Sequence, residues 1–176
     1  MTAVETPNQI PNQTGSISHQ NLALLFQYTV EAYKVFEKLA ENVPNPMTRT
    51  MFKQFAVDER ENRDLVEMKI AATTGNRVRV TLGADMIFSE ILEGEMSFRE
   101  SSEFLVSRER TMQRKLRELI AGASTADRAL LVYFETVKRA HIVELERELE
   151  LIKTDPDWWK REDAEWRIVH GPDYKP

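Results

Sequence analysis

Apolar residues recur at three- and four-residue steps in four long stretches of the chain, which is the spacing of one buried helix face. In residues 18–42 the stripe is Leu22, Leu25, Phe26, Thr29, Tyr33, Phe36 and Ala40. In residues 46–73 it is Phe52, Phe55, Ala56, Glu59, Asn62, Val66 and Ile70. Residues 97–121 carry Phe98, Ser102, Leu105, Glu109, Met112, Leu116 and Leu119. In residues 128–152 Leu131, Phe134, Leu145, Leu149 and Ile152 share a face, with Lys138 and His141 in its middle.

Start and stop signals frame these stripes. Pro44 and Pro46 end the first helix, and Asn45 caps the second with Pro46 at its first position. Gly75 stops the second helix. Ser97-Phe98-Arg99-Glu100 has the form of a capping box, Gly122 ends the third helix, and Ser124 to Asp127 open the fourth. Residues 1–16 are polar and are expected to be a disordered arm. The bundle then covers residues 17–153. Residues 154–176 form a short C-terminal helix and tail, opened by Asp155-Pro156 and holding Trp158, Trp159 and Trp166.

Between the second and third helices, residues 77–81 alternate like a strand and residues 86–92 suit a short helical turn. A connection this long is unusual in a compact domain unless it crosses something. A helix of about 25 residues is roughly 37 Å long, a distance this segment can span. Short turns make helices 1–2 and 3–4 antiparallel pairs, and a crossover makes helices 2 and 3 parallel. The expected fold is all-α, a ferritin-like four-helix bundle with a long crossover between helices 2 and 3.

Each stripe is interrupted near its middle: by Thr29, by Glu59 with Asn62, by Glu109, and by Lys138 with His141. Packed side by side, the helices bring these six residues to one level. Two helices give one residue each and two give an i, i+3 pair. That is the layout of a carboxylate-bridged two-metal site, whose cations need several carboxylates for charge and two imidazoles as terminal ligands.

Three stretches carry a resemblance to the rubrerythrin-like family of the ferritin-like superfamily. They are Phe36-Glu37-Lys38-Leu39-Ala40, residues 51–62 (MFKQFAVDEREN), and the fourth-helix segment ending at His141. They look like the family's "fY-x-x-LA", "F-x-x-LA-x-x-E-x-x-H" and second "E-x-x-H" patterns, and the similarity spans about residues 18–152. By the register the resemblance implies, Glu59, Glu109 and His141 stand at metal-ligand positions with the expected residue type. Thr29 stands where the family has Glu, Asn62 where it has His, and Lys138 where it has Glu. Glu31, rotated by about 200° from Thr29, points away from that face. An ammonium at Lys138 would compete with a metal for Glu59 and Glu109, so the layer is expected to be a former metal site closed by a salt bridge.

Composition narrows the function classes. The absence of cysteine excludes disulfides, Cys-ligated zinc, iron–sulfur clusters and thiol catalysis, and leaves no rubredoxin-like electron donor on the chain. A net charge of -5 with both signs interleaved argues against nucleic-acid binding and gives no basic patch for anionic lipid. No signal peptide and no membrane-length run is present, so a soluble, cytoplasmic protein is expected. Bland roles are assigned elsewhere. Residues 144–150 are read as a solvated face and His19 and His170 as surface groups; Tyr28, Tyr33 and Tyr133 are assigned to core packing over radical or hydrogen-bonding roles beside a metal. The tryptophans fold back on the bundle or cover a partner subunit. Two functions stay open. One is a non-catalytic interaction or assembly protein with no cofactor, a homodimer by the resemblance. The other is a metal-dependent oxidoreductase or iron-handling protein, with iron or manganese on Glu59, Glu109 and His141.

Overall fold

A computed structural model describes residues 15–75, 91, 94–171 and 173. Among the described residues the protein is helical, with a lone bridge pair between Gly15 and Ala123 and no strand. Four long helices make the bundle: α1 (His19–Asn42), α2 (Pro46–Thr74), α3 (Phe98–Gly122) and α4 (Thr125–Thr154). A 3-10 turn (Trp158–Lys160) and a short α5 (Ala164–His170) follow.

Side-chain caps close the helix starts, and those at Asn45, Ser97 and Ser124 are the ones the sequence marks. Ser18 Oγ accepts from Asn21 N at 3.2 Å, and Asn45 Oδ1 accepts from Met47 N and Thr48 N. Ser97 and Glu100 form the reciprocal box, and Ser124 Oγ accepts from Asp127 N. Each bond satisfies a helix-terminal N–H that has no partner within its own ladder. Gly75 adopts φ +70°, the left-handed stop that a side chain would oppose. The end of α3 is different. Gly122 closes the helix, and its carbonyl accepts from Gly15 N while Ser124 N donates to Gly15 O. Gly15, grouped in sequence with the arm, is therefore held against the α3–α4 corner.

Every stripe residue of α2 from Phe52 to Ile70 is buried, and so are the interruptions on all four helices. Two stripe assignments shift. Tyr33 is half-buried, while Tyr28 and Ala32 are buried. On α4, Leu149 is half-buried and Glu148 takes the inward position. Steps of 145–148–152 are as helical as steps of 145–149–152, so periodicity does not separate them.

Long-range contacts fix the helix directions. At one end Asp127, in the first turn of α4, accepts from Ile17 N ahead of α1 and pairs with Lys69 near the end of α2. At the other end Trp159 packs on Phe52 of α2 and Phe98 of α3, and its carbonyl accepts from Asn45 N between α1 and α2. Thus α2 and α3 both start at the tryptophan end, and α1 and α4 at the Asp127 end. The expected strand-like segment 77–81, most of the turn at 86–92 and the path of the crossover lie outside the described residues. Ile91 is helical and buried.

The C-terminal segment departs from the expected single helix. Asp155 caps α4, Arg161 pairs with it at 2.8 Å, and the chain makes a 3-10 turn before α5. Trp159 and Trp166 therefore share no helical face. Trp158 and Trp159 are buried against the bundle, and Trp166 is exposed.

Candidate metal centre

Four helices converge on one buried cluster. Lys138 of α4 bonds through Nζ to Glu59 Oε1 of α2, and lies 3.2 Å from Glu109 Oε1 of α3. His141, one turn further along α4, places Nδ1 3.2 Å from Glu109 Oε2 and 3.5 Å from Glu59 Oε1. From α1, the Tyr28 hydroxyl donates to Glu109 Oε1 at 2.6 Å, and the Lys138 ammonium sits 4.7 Å above the Tyr28 ring. The imidazole stacks on Phe55 at 3.9 Å, with Phe36 edge-on to it. All of these groups are buried.

Two further members join them. Tyr28, assigned to packing over a hydrogen-bonding role, is a hydrogen-bond donor to the layer. Asp58, next to Glu59, places Oδ2 3.0 Å from His141 Nε2 and is a quarter exposed, so it links the cluster to the surface. Both imidazole nitrogens thus face carboxylate oxygens. An oxygen that only accepts requires a donor opposite it, so the geometry calls for protonation of both nitrogens.

The electrostatics follow from competition between burial and pairing. Burial would lower the Lys138 ammonium, but Glu109 and Glu59 outweigh it and hold it above its ordinary value. Burial would lower His141 too, and the bonds to Asp58 and Glu109 hold it up. For Glu109, burial is outweighed by Lys138, His141 and the Tyr28 hydroxyl, which bring it down to about 2. Glu59 moves the other way. Burial raises it more than Lys138 lowers it, and its Oε2 has no hydrogen-bond partner while both Glu109 oxygens have donors. Burial, then Glu109 and Glu59, push the Tyr28 phenol well above its ordinary value.

The six interruptions expected at one level do not all take part. Glu59, Glu109, Lys138 and His141 come together. Thr29 is buried and returns its hydroxyl to Phe26 O of its own helix at 2.8 Å. Asn62 is buried with both amide atoms unpartnered among the described residues. Glu31 is buried on another part of α1 and accepts from Gln27 at 2.9 Å, outside the cluster.

Ligand atoms of Glu59, Glu109 and His141 lie within 4.8 Å of one another, a donor set suited in type to a small divalent cation. The residues do not fit a two-metal centre. Of the positions the resemblance implies as ligands, one carries an ammonium bonded to the carboxylates a metal would need, another a threonine bonded to its own helix, and a third a neutral amide.

A second buried carboxylate lies near the tryptophan end. Glu148 Oε2 accepts from Thr48 Oγ1 at 2.7 Å and from the indole nitrogens of Trp158 and Trp159, each at 3.0 Å. The assignment of residues 144–150 to a solvated face fails at this residue. Three donors meet one oxygen, which satisfies two indoles that burial would otherwise leave unpaired.

No protein-family model, curated protein or solved structure matches the chain.

Proposed function

We propose that this chain is a ferritin-like bundle of rubrerythrin type whose two-metal layer has become an internal ion-pair network. In this reading it is a non-catalytic interaction or assembly protein, acting through its surface. That α2 and α3 start at the same end supports the arrangement, in which those two helices run parallel. The observation that carries the functional reading is the contact of the Lys138 ammonium with both Glu59 and Glu109. Lys138 and His141 put two cationic side chains beside the carboxylates, where the family's pattern implies two metals. The reading includes a cytoplasmic homodimer, and among the described residues no helix is long and apolar enough to cross a membrane. With Trp158 and Trp159 inside the fold, Trp166 is the tryptophan left to a dimer contact.

One arrangement favours a second reading, in which Glu59, Glu109 and His141 hold iron or manganese in an oxidoreductase or iron-handling protein. Asp58 stands behind His141 as an outer carboxylate stands behind a metal-bound imidazole, with the other ring nitrogen turned toward the carboxylates. Elemental analysis of protein from iron- and manganese-supplemented culture separates the two readings, together with thermal unfolding with and without a strong chelator. The metal-free reading expects no stoichiometric metal and an unchanged midpoint. Bound metal with a large fall in midpoint on chelation assigns the second reading, since a ligand of the folded state stabilises it by mass action.

A further inference from the structure

Charges of both signs alternate along the sequence, but folding gathers cations along the outer seam between α3 and α4. Two cross-helix pairs define the register of that seam. Arg110 bonds to Glu146, and Arg117 meets Glu135 at 2.9 Å with Gln113 donating to the same carboxylate. Between these rungs lie Arg114 on α3 and Arg139 on α4. Arg114 donates to the Thr111 hydroxyl at 3.0 Å, and neither guanidinium meets a carboxylate among the described residues. The nearby acid Glu103 is already engaged by Arg99 at 3.0 Å. Two guanidiniums on the seam thus make no ion pair among the described residues, in a protein whose net charge is -5.

The surroundings are apolar as well as cationic. Val132 and Val143 lie on the outer side of α4, before and after Arg139, and are 44% and 59% exposed. Along the same seam a cleft of about 300 Å³ is lined by Glu103, Val106, Ser107, Arg110, Arg114 and Leu149. Exposed valines contribute nothing to binding an inorganic anion, and cations contribute nothing to a purely apolar partner. Together they match a segment carrying both carboxylates and apolar side chains.

We propose that the α3–α4 seam is a docking face for an acidic amphipathic segment of a partner protein, whose carboxylates engage Arg114 and Arg139 while its apolar side chains cover Val132 and Val143. The proposal rests on the interaction-protein reading and names the chemistry of its partner. Arginines are frequent carriers of interface energy, and their guanidiniums match carboxylates in a planar fork.

The test uses the full chain and a synthetic amphipathic peptide, with leucines at three- and four-residue steps flanked by glutamates, in fluorescence anisotropy. Binding is expected to weaken as salt rises. Arg114→Glu with Arg139→Glu should weaken it by roughly tenfold or more, and Val132→Ser with Val143→Ser should also weaken it. Arg114→Glu alone places a carboxylate opposite Arg139, so its melting midpoint should hold or rise while peptide binding falls; a merely structural arginine would give the reverse. Several outcomes overturn the proposal: no binding, binding indifferent to the arginine changes, or polyglutamate or inorganic phosphate competing as well as the amphipathic peptide. So does self-association that the same variants abolish, which would make a second copy the occupant. Metal content does not enter this test, so its failure is distinct from failure of the metal-free reading.

Discussion

Asp58 Oδ2 lies 3.0 Å from Nε2 of His141, and this bond joins a buried cluster to the protein surface. The opposite ring nitrogen faces Glu109, so the imidazole is held between two carboxylates as a second cation beside Lys138. Two cations on α4 then face three carboxylates from α2 and α3.

That arrangement sets a pH profile. His141 is held above its ordinary 6.5, so its contribution is complete below 6.5 and is lost as pH rises through the raised value. Glu109 falls from 4.5 to about 2, so its contribution is present above 4.5 and is lost between there and about 2. Glu59 opposes it in part, because a raised carboxyl favours the fold most below 4.5 and gives that up as pH rises. Urea midpoints across pH should therefore show a plateau with an alkaline and an acid limb. Asp58→Asn should end the alkaline limb at a lower pH and make it smaller, and an alkaline limb unmoved by that change would refute the imidazolium assignment.

The sequence exposes part of this and hides the rest for identifiable reasons. Glu59, Glu109, Lys138 and His141 are legible because a charge in the middle of an apolar stripe must be met by something. Tyr28 is not, since an aromatic on an inward face looks the same whether its hydroxyl is used or idle. Asp58 reads as a surface acid beside Glu59, and its partner lies 83 residues away. Glu148 sits in a run of alternating glutamates, and its donor Thr48 lies 100 residues away. The caps at Asn45, Ser97 and Ser124 are local, and are legible for that reason.

The Glu148 contacts make the C-terminal turn part of the fold. Glu148→Ala leaves two indole N–H groups and a hydroxyl buried without acceptors, at about 1–3 kcal/mol for each group left unpaired. The expected result is a destabilisation of roughly 3 kcal/mol or more, with tryptophan emission shifted to the red as the segment loosens. Glu148→Gln keeps the size and one acceptor oxygen and should cost less. Unchanged emission and midpoint in Glu148→Ala would show that aromatic packing on Phe52 and Phe98 alone holds the turn.

Lys138 gives the sharpest test of how the layer is held together. Lys138→Met removes the ammonium and leaves Glu59 and Glu109 buried beside His141 alone, which should cost about 3–5 kcal/mol. Lys138→Glu adds a third carboxylate at close range, where like charges raise one another's pKa and oppose ionisation. That variant should be at least as unstable as Lys138→Met without metal. It should recover on addition of Mn²⁺ or Fe²⁺, because a cation can then take the place of the ammonium among three carboxylates and an imidazole. Lys138→Met supplies no new ligand and should recover less. Adding Thr29→Glu and Asn62→His to Lys138→Glu completes the ligand set that the proposed rubrerythrin-type reading implies, and should increase the metal-induced shift further. The measurement is the change in melting midpoint on adding metal to each variant. The unsubstituted protein should respond little, because metal must first displace a lysine that its two carboxylates hold charged. A strong response of the unsubstituted protein to Fe²⁺ would mean that the ammonium yields to metal and that the site is a working one.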